Sequence, residues 1–140
     1  MKPVTGGCLC GAVCFRFEQP PVATRACWCR DCLYLSPGNA SINAIFGTAS
    51  FSFTGEVSEY VSTADSGNVM RRRFCPKCGT PLFSEASDRP DLMVVRVGAL
   101  DDPEAGWPTA AIWTASAPGW AVLDPHMPSH EGQPAVAPKG

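Results

Sequence analysis

The sequence predicts an all-β fold assembled from short antiparallel strands. Three observations carry this reading. Apolar and polar residues alternate at a period of two in several short windows, and no window holds a long 3.6-residue apolar period. The windows recur at near-regular spacing. The breaks between them are rich in turn formers, with 13 Gly and 14 Pro in 140 residues. That content is high for a globular chain, yet short of the roughly 25–30 % that marks disorder.

The elements follow in chain order. Ala12 to Glu18 alternates, with Val13, Phe15 and Phe17 on one face and Cys14, Arg16 and Glu18 on the other. Phe51 and Phe53 run into the turn Thr54-Gly55-Glu56, and Val57 to Thr63 alternates again. Val69 to Phe74 sets Met70, Arg72 and Phe74 on one side. Leu92 to Val97 is apolar apart from Arg96 and stops at Gly98, and Ala110 to Thr114 is the last strand. A single helical turn fits Leu33-Tyr34-Leu35 before Pro37. Turns such as Pro37-Gly38-Asn39 and Asp88-Arg89-Pro90-Asp91 separate the strands. One domain, 6–123, accounts for all of these. The segment 124–140, with Pro125, Pro128, Pro134 and Pro138, reads as an extended, frayed Pro-rich tail.

Composition narrows the function. Hydrophobic residues make up 45 % and charged residues 17 %, the latter below the usual roughly 25 %. A chain of this length buries about two thirds of its unfolded surface, so a real core is expected. Eleven Lys and Arg against 13 Asp and Glu leave a net charge of -2. That offers no basic face for nucleic acid, and Arg71-Arg72-Arg73 is too short to supply one. No run of about 18 apolar residues is present, so no membrane-spanning helix is expected. The first residues lack the apolar core of a secretory signal, which makes the cytoplasm the expected compartment. Thiols stay reduced there, and clustered cysteines more often bind metal or do chemistry.

Eight cysteines are present. They fall into a C-x-C (Cys8, Cys10), a C-x-C-x-x-C (Cys27, Cys29, Cys32), a C-x-x-C before glycine (Cys75, Cys78, Gly79), and Cys14 alone. Two thiolates three residues apart converge on one metal when the chain turns tightly between them, and Gly79 suits the positive φ of such a turn. Zinc takes four ligands in a closed structural site and leaves one position open in a catalytic one. The arithmetic suggests a closed four from Cys8, Cys10, Cys75 and Cys78, and an open three from Cys27, Cys29 and Cys32. Two other partitions stand beside it. Cys14 could close the second set into another tetrahedron, or sit in its strand as a small buried hydrophobe. The C-x-x-C alone could be a redox pair, although no βαβ pattern surrounds it.

Several motifs together carry a family resemblance. They are Gly7-Cys8-Leu9-Cys10-Gly11, the C-x-C-x-x-C, Arg73-Phe74-Cys75-Pro76-Lys77-Cys78-Gly79-Thr80-Pro81-Leu82-Phe83, Val97-Gly98-Ala99-Leu100-Asp101-Asp102-Pro103, Ile112-Trp113 and Ala117-Pro118-Gly119-Trp120. In this order, from about Gly6 to Trp120, they resemble the glutathione-dependent formaldehyde-activating enzyme family. The resemblance implies an all-β "β-tent" held by zinc. It implies a structural zinc on Cys8, Cys10, Cys75 and Cys78, and a catalytic zinc on Cys27, Cys29 and Cys32, two zinc per chain. It also implies carbon–sulfur lyase-type chemistry joining formaldehyde to glutathione. Trp28 and Ala111 stand where the family often has His, so no imidazole is evident beside the second metal.

The expected activity is therefore reversible making or breaking of a C–S bond in a small-molecule thiol adduct. The contrasting expectation is a non-catalytic binding module stapled by zinc. Arg72 is a candidate contact for a substrate carboxylate, against the plainer reading of the arginines as strand-edge charges. Trp28 is placed at the pocket wall, and Trp113 is divided between core and pocket. Asp31 and Glu85 are the available carboxylates for proton transfer, each more simply a solvated charge. His126 and His130 read as exposed tail residues.

Overall fold

Among the described residues, ten strands and one short α-helix succeed one another, with 3-10 turns at Val97–Ala99, Pro103–Gly106 and Thr114–Ser116. The strands and helix are β1 (Val4–Gly7), β2 (Cys14–Phe17), β3 (Ala23–Cys27), α1 (Arg30–Leu35), β4 (Ser41–Gly47), β5 (Ser52–Thr54), β6 (Ser58–Thr63), β7 (Val69–Phe74), β8 (Pro81–Ala86), β9 (Leu92–Arg96) and β10 (Ala110–Ile112). The computed structural model describes residues 2–64 and 67–134. It is nearly all-β, with 39 % strand and 12 % helix. A three-stranded sheet runs β1-β2-β5, and a seven-stranded sheet runs β10-β3-β4-β9-β8-β7-β6. The expected antiparallel pairing is found throughout except at one edge, where β10 runs parallel to β3.

The core lies between the two sheets. The alternation in β2 buries Val13, Phe15 and Phe17 and exposes Cys14, Arg16 and Glu18. Phe17 stacks on Phe46 of β4 at 4.1 Å between ring centroids, and Phe15 meets Phe83 of β8 edge-on at 5.9 Å. Such pairs add about 0.5–1.5 kcal/mol beyond the area they bury. Opposite residues in β4 and β9 share a face, so Ala44↔Val95 and Phe46↔Met93 face this core. Asn43↔Arg96, one residue out of phase, belongs to the other face of the large sheet.

The strands with clean alternation match the sequence reading, while β1, β3, β4 and β8 carry no such signal. In β4 Ala44, Ile45 and Phe46 are buried in succession, and in β8 Leu82, Phe83 and Ser84 are. A strand covered on both faces does not alternate. In β3 the buried residues include Thr24 and Arg25, which disguise it. The helix starts earlier than expected, at Arg30, and ends where Ser36 adopts extended geometry before Pro37.

Two expectations need correction. Cys14 is exposed, because alternation turns it away from the core, so it is not a small buried hydrophobe. The arginine run is not a sheet edge, because β7 lies between β6 and β8. In the tail, 128–130 runs alongside β10: Ala111 N–H donates to the Pro128 carbonyl and His130 N–H to that of Ala111, both at 2.9 Å. His126 and His130 are exposed, and 135–140 lies outside the described residues.

Candidate metal centres

The first cysteine group joins two turns far apart in sequence. Cys8 and Cys10 lie between β1 and β2, and Cys75 and Cys78 lie between β7 and β8. Each turn is closed by a glycine N–H. Gly11 N–H donates to the Cys8 carbonyl at 3.1 Å and Gly79 N–H to that of Cys75 at 2.8 Å. Both glycines hold positive φ, +81° and +77°, a conformation that costs glycine little. All four sulfurs lie within 4.8 Å of one another. The Cys8–Cys10 and Cys10–Cys75 sulfurs are 3.6 and 3.7 Å apart. A zinc tetrahedron with Zn–S bonds of about 2.3 Å sets its sulfurs about 3.8 Å apart, so the donor set fits that metal.

Donors aimed at these sulfurs favour thiolates. Val13 N–H reaches Cys8 Sγ at 3.2 Å, Lys77 N–H reaches Cys75 Sγ at 3.4 Å, and the Thr80 hydroxyl lies 3.1 Å from Cys78 Sγ. Burial would raise the Cys8 thiol, yet the Val13 N–H and its neighbouring thiols bring it below its usual value. Cys78 falls to about 5 through the Thr80 side chain and backbone. Cys10 gains from the Ala12 N–H, but hydrogen bonding with Cys8 and desolvation outweigh it and push the thiol up to about 11.

The second group comes from one short stretch. Cys27 ends β3, Cys29 caps α1 and Cys32 sits in its first turn. The Cys29 sulfur accepts from the Cys32 N–H at 3.3 Å, so the ligand loop is also the helix cap. The three sulfurs again lie within 4.8 Å of one another, with Ile112 and Trp113 packed against them. Hydrogen bonds from Cys27 and Cys32 drive the Cys29 thiol far down, and hydrogen bonding to Cys29 and Cys32 drives Cys27 far up. Three sulfurs this close cannot all ionise without a cation between them, so this donor set also fits zinc. Cys14 joins neither group, and its sulfur lies 3.9 Å from the Gly11 carbonyl.

Beside the three cysteines opens a cleft of about 840 Å³. Of the three, Cys29 lines it, and Cys27 and Cys32 are buried behind. One wall is α1 with Asp31 and Tyr34, and the opposite wall is β6 and β7 with Tyr60, Ser62, Met70 and Arg72. Trp113 and Ser116 complete it. Arg72 is only 16 % exposed, donates to Ser62 Oγ at 2.9 Å, and keeps Nη2 3.8 Å from Asp31. Its neighbours are more tightly engaged, Arg71 with Glu59 at 2.9 Å and Arg73 with Glu85 at 2.8 Å. Glu85 does not line the cleft, whereas Asp31, 73 % exposed, stands at its rim.

The sequence places Trp28 at the pocket wall, but the structure buries it edge-on against Trp120, outside the cleft lining. Trp113 takes the wall instead. Its backbone is left-handed (φ 56°), and its indole N–H donates to Gln133 Oε1 of the tail at 2.9 Å. Sequence reading also missed Asn43 and Arg96. A charge interrupting an apolar strand was the available signal for Arg96, since such residues are rarely buried without a partner.

Among known proteins, the model of a family described as glutathione-dependent formaldehyde-activating enzyme matches residues 3–116. No curated protein matches the chain. Among solved structures, one of a Rhodobacter sphaeroides protein aligns with a TM-score of 0.56 at 22 % identity. The alignment covers 69 % of this chain and 87 % of that one, and this likeness concerns the fold alone. No helix among the described residues is long and apolar enough to cross a membrane.

Proposed function

The chain belongs to the glutathione-dependent formaldehyde-activating enzyme family, and on that premise we propose a zinc-dependent carbon–sulfur lyase-type enzyme. It makes or breaks a C–S bond of a small-molecule thiol adduct, glutathione-like in carrying a carboxylate, in the cytoplasm. The supporting observation is the three-sulfur group without a fourth cysteine, one member of which lines a cleft large enough for a small substrate.

Zinc held by Cys27, Cys29 and Cys32 would bring a substrate thiol to its thiolate form in one direction and accept a thiolate leaving group in the other. With formaldehyde as partner, the forward step forms one S–C bond as the C=O π bond opens, and the proton lost from the thiol ends on the carbinol oxygen. The chain's own residues bind and orient. Arg72 has one guanidinium edge fixed by Ser62 and the other only loosely engaged by Asp31, which suits it to a substrate carboxylate. Tyr34, Tyr60 and Trp113 supply aromatic surface to the cleft. Asp31 is the carboxylate within the cleft that could carry the proton. The second zinc, on Cys8, Cys10, Cys75 and Cys78, is structural.

The test is a panel of thiol and aldehyde pairs, glutathione with formaldehyde first, given to zinc-loaded protein and its Cys29→Ser variant. Serine still caps the helix, so the variant should fold, lose one zinc and lose turnover. Full activity in Cys29→Ser would contradict the assignment. A chain that holds both metals and turns over no adduct would be a zinc-stapled binding module.

A further inference from the structure

Below the three-cysteine group, on the sheet face turned away from the core, three polar side chains form a chain of hydrogen bonds. Arg96 of β9 and Asn43 of β4 are directly opposite in the ladder, and Cys27 of β3 is opposite Ser41 of β4. Arg96 Nη1 donates to Asn43 Oδ1 at 2.5 Å, and Ser41 Oγ donates to the same oxygen at 2.9 Å. Asn43 Nδ2 then lies 3.7 Å from Cys32 Sγ.

The donors decide the rest. A guanidinium has only N–H groups and cannot accept. Facing Arg96, the amide must present its oxygen, and the Ser41 hydroxyl reinforces that orientation. Its NH₂ is therefore turned toward Cys32, whose sulfur must accept. A thiol sulfur is a weak acceptor, while a thiolate is a strong one. Arg96 carries a permanent positive charge; burial and nearby Arg72 pull its pKa down, and the sulfurs of Cys32, Cys27 and Cys29 act the other way. The arrangement suits an anionic ligand set: zinc with three thiolates carries a net charge of -1, and the nearby cation offsets it.

We propose that Asn43 and Arg96 are positioning residues of the three-cysteine metal centre, with Arg96 fixing the Asn43 amide so that it donates to the Cys32 thiolate. This rests on the metal reading of Cys27, Cys29 and Cys32. A hydrogen bond to a ligating thiolate withdraws electron density from sulfur, leaving the metal a better acceptor for a substrate thiol. Ser41 serves the same amide, so Arg96 shares its role while Asn43 is the sole link to Cys32 within this chain of bonds.

The experiment uses protein with one equivalent of zinc on the four-cysteine site and cobalt(II) on the other. In Asn43→Leu, removal of the N–H···S bond should move the sulfur-to-cobalt charge-transfer band to lower energy. Metal affinity by chelator competition should fall about 10- to 100-fold, the range for lost outer partners. Arg96→Met should shift the band the same way by less, and Arg96→Lys should restore most of it. Retention of the zinc on the four-cysteine site confirms that each variant is folded. An unchanged band and affinity in both Asn43→Leu and Arg96→Met would overturn the proposal while leaving the metal reading intact. Failure of the unaltered protein to bind cobalt at the three cysteines would overturn both.

Discussion

The two cysteine groups use the same ligand atom for opposite ends. The four-cysteine group draws on two turns whose members Cys10 and Cys75 stand 65 residues apart, one leading into the small sheet and one within the large sheet. A metal there closes a long loop and ties the sheets together at the edge of their shared core. The three-cysteine group spans Cys27 to Cys32 within one strand end and one helical turn. A metal there crosslinks almost nothing that the backbone has not already joined. Loop closure is what makes a clip stabilising, which on the proposed function suits the long-range group to stability and the local one to chemistry. The surroundings agree. The first is framed by two short turns with donors to its sulfurs and leaves Cys10 exposed, and the second has a cleft on one side and Trp113 packed against it.

Substitutions should separate the two sharply. Cys75→Ser should have the largest effect, because structural zinc contributes folding energy directly. Loss of the cooperative melt is expected, or destabilisation by at least about 3 kcal/mol, read by thermal unfolding with and without chelator. A Cys75→Ser protein that melts like the unaltered one would erase the distinction. Cys29→Ser should abolish turnover yet move stability by no more than about 1 kcal/mol, since serine can cap α1 in its place. Acidification sharpens the comparison further. Zinc displaces protons from thiols, so its affinity falls as pH falls. The three-ligand site should empty first as pH is lowered from 7, followed by metal analysis after gel filtration.

Smaller effects follow from the cleft. Gln133→Ala removes the hydrogen bond that fixes the Trp113 indole, and an exposed bond of this kind is worth about 0.5–1.5 kcal/mol. A severalfold rise in KM with the melting temperature unchanged would show the tail segment acting on the site. Arg71→Ala should do least, because its pair with Glu59 is well exposed and such pairs contribute about 0–1 kcal/mol. It is the control for Arg72→Ala, which should raise KM for a carboxylate-bearing thiol and spare a neutral one.

Much of this was legible in the chain. Cysteine spacing is local information, so both groups could be drawn before any fold was known. Alternation exposes a strand only when one face is wet, which is why β2 was plain and β4 was silent. Pairing across strands is invisible to any window. Hence Asn43 and Arg96, brought face to face by the β4–β9 register, carried no local mark beyond one charge in an apolar run. Trp28 and Trp113 show the same limit. Adjacency to a ligand in sequence suggested Trp28, but the chain leaving Cys27 turns that side chain toward Trp120, and Trp113 reaches the cleft from β10.

The central claim is one closed centre and one that accepts an external thiol. X-ray absorption on metal-loaded protein measures it by counting sulfurs around the metals before and after a small thiol is added. The account predicts two metals sharing the seven cysteine sulfurs of the two groups, with one further sulfur gained on thiol addition. Four sulfurs on each metal before any thiol is present, or no gain with any thiol, would contradict it.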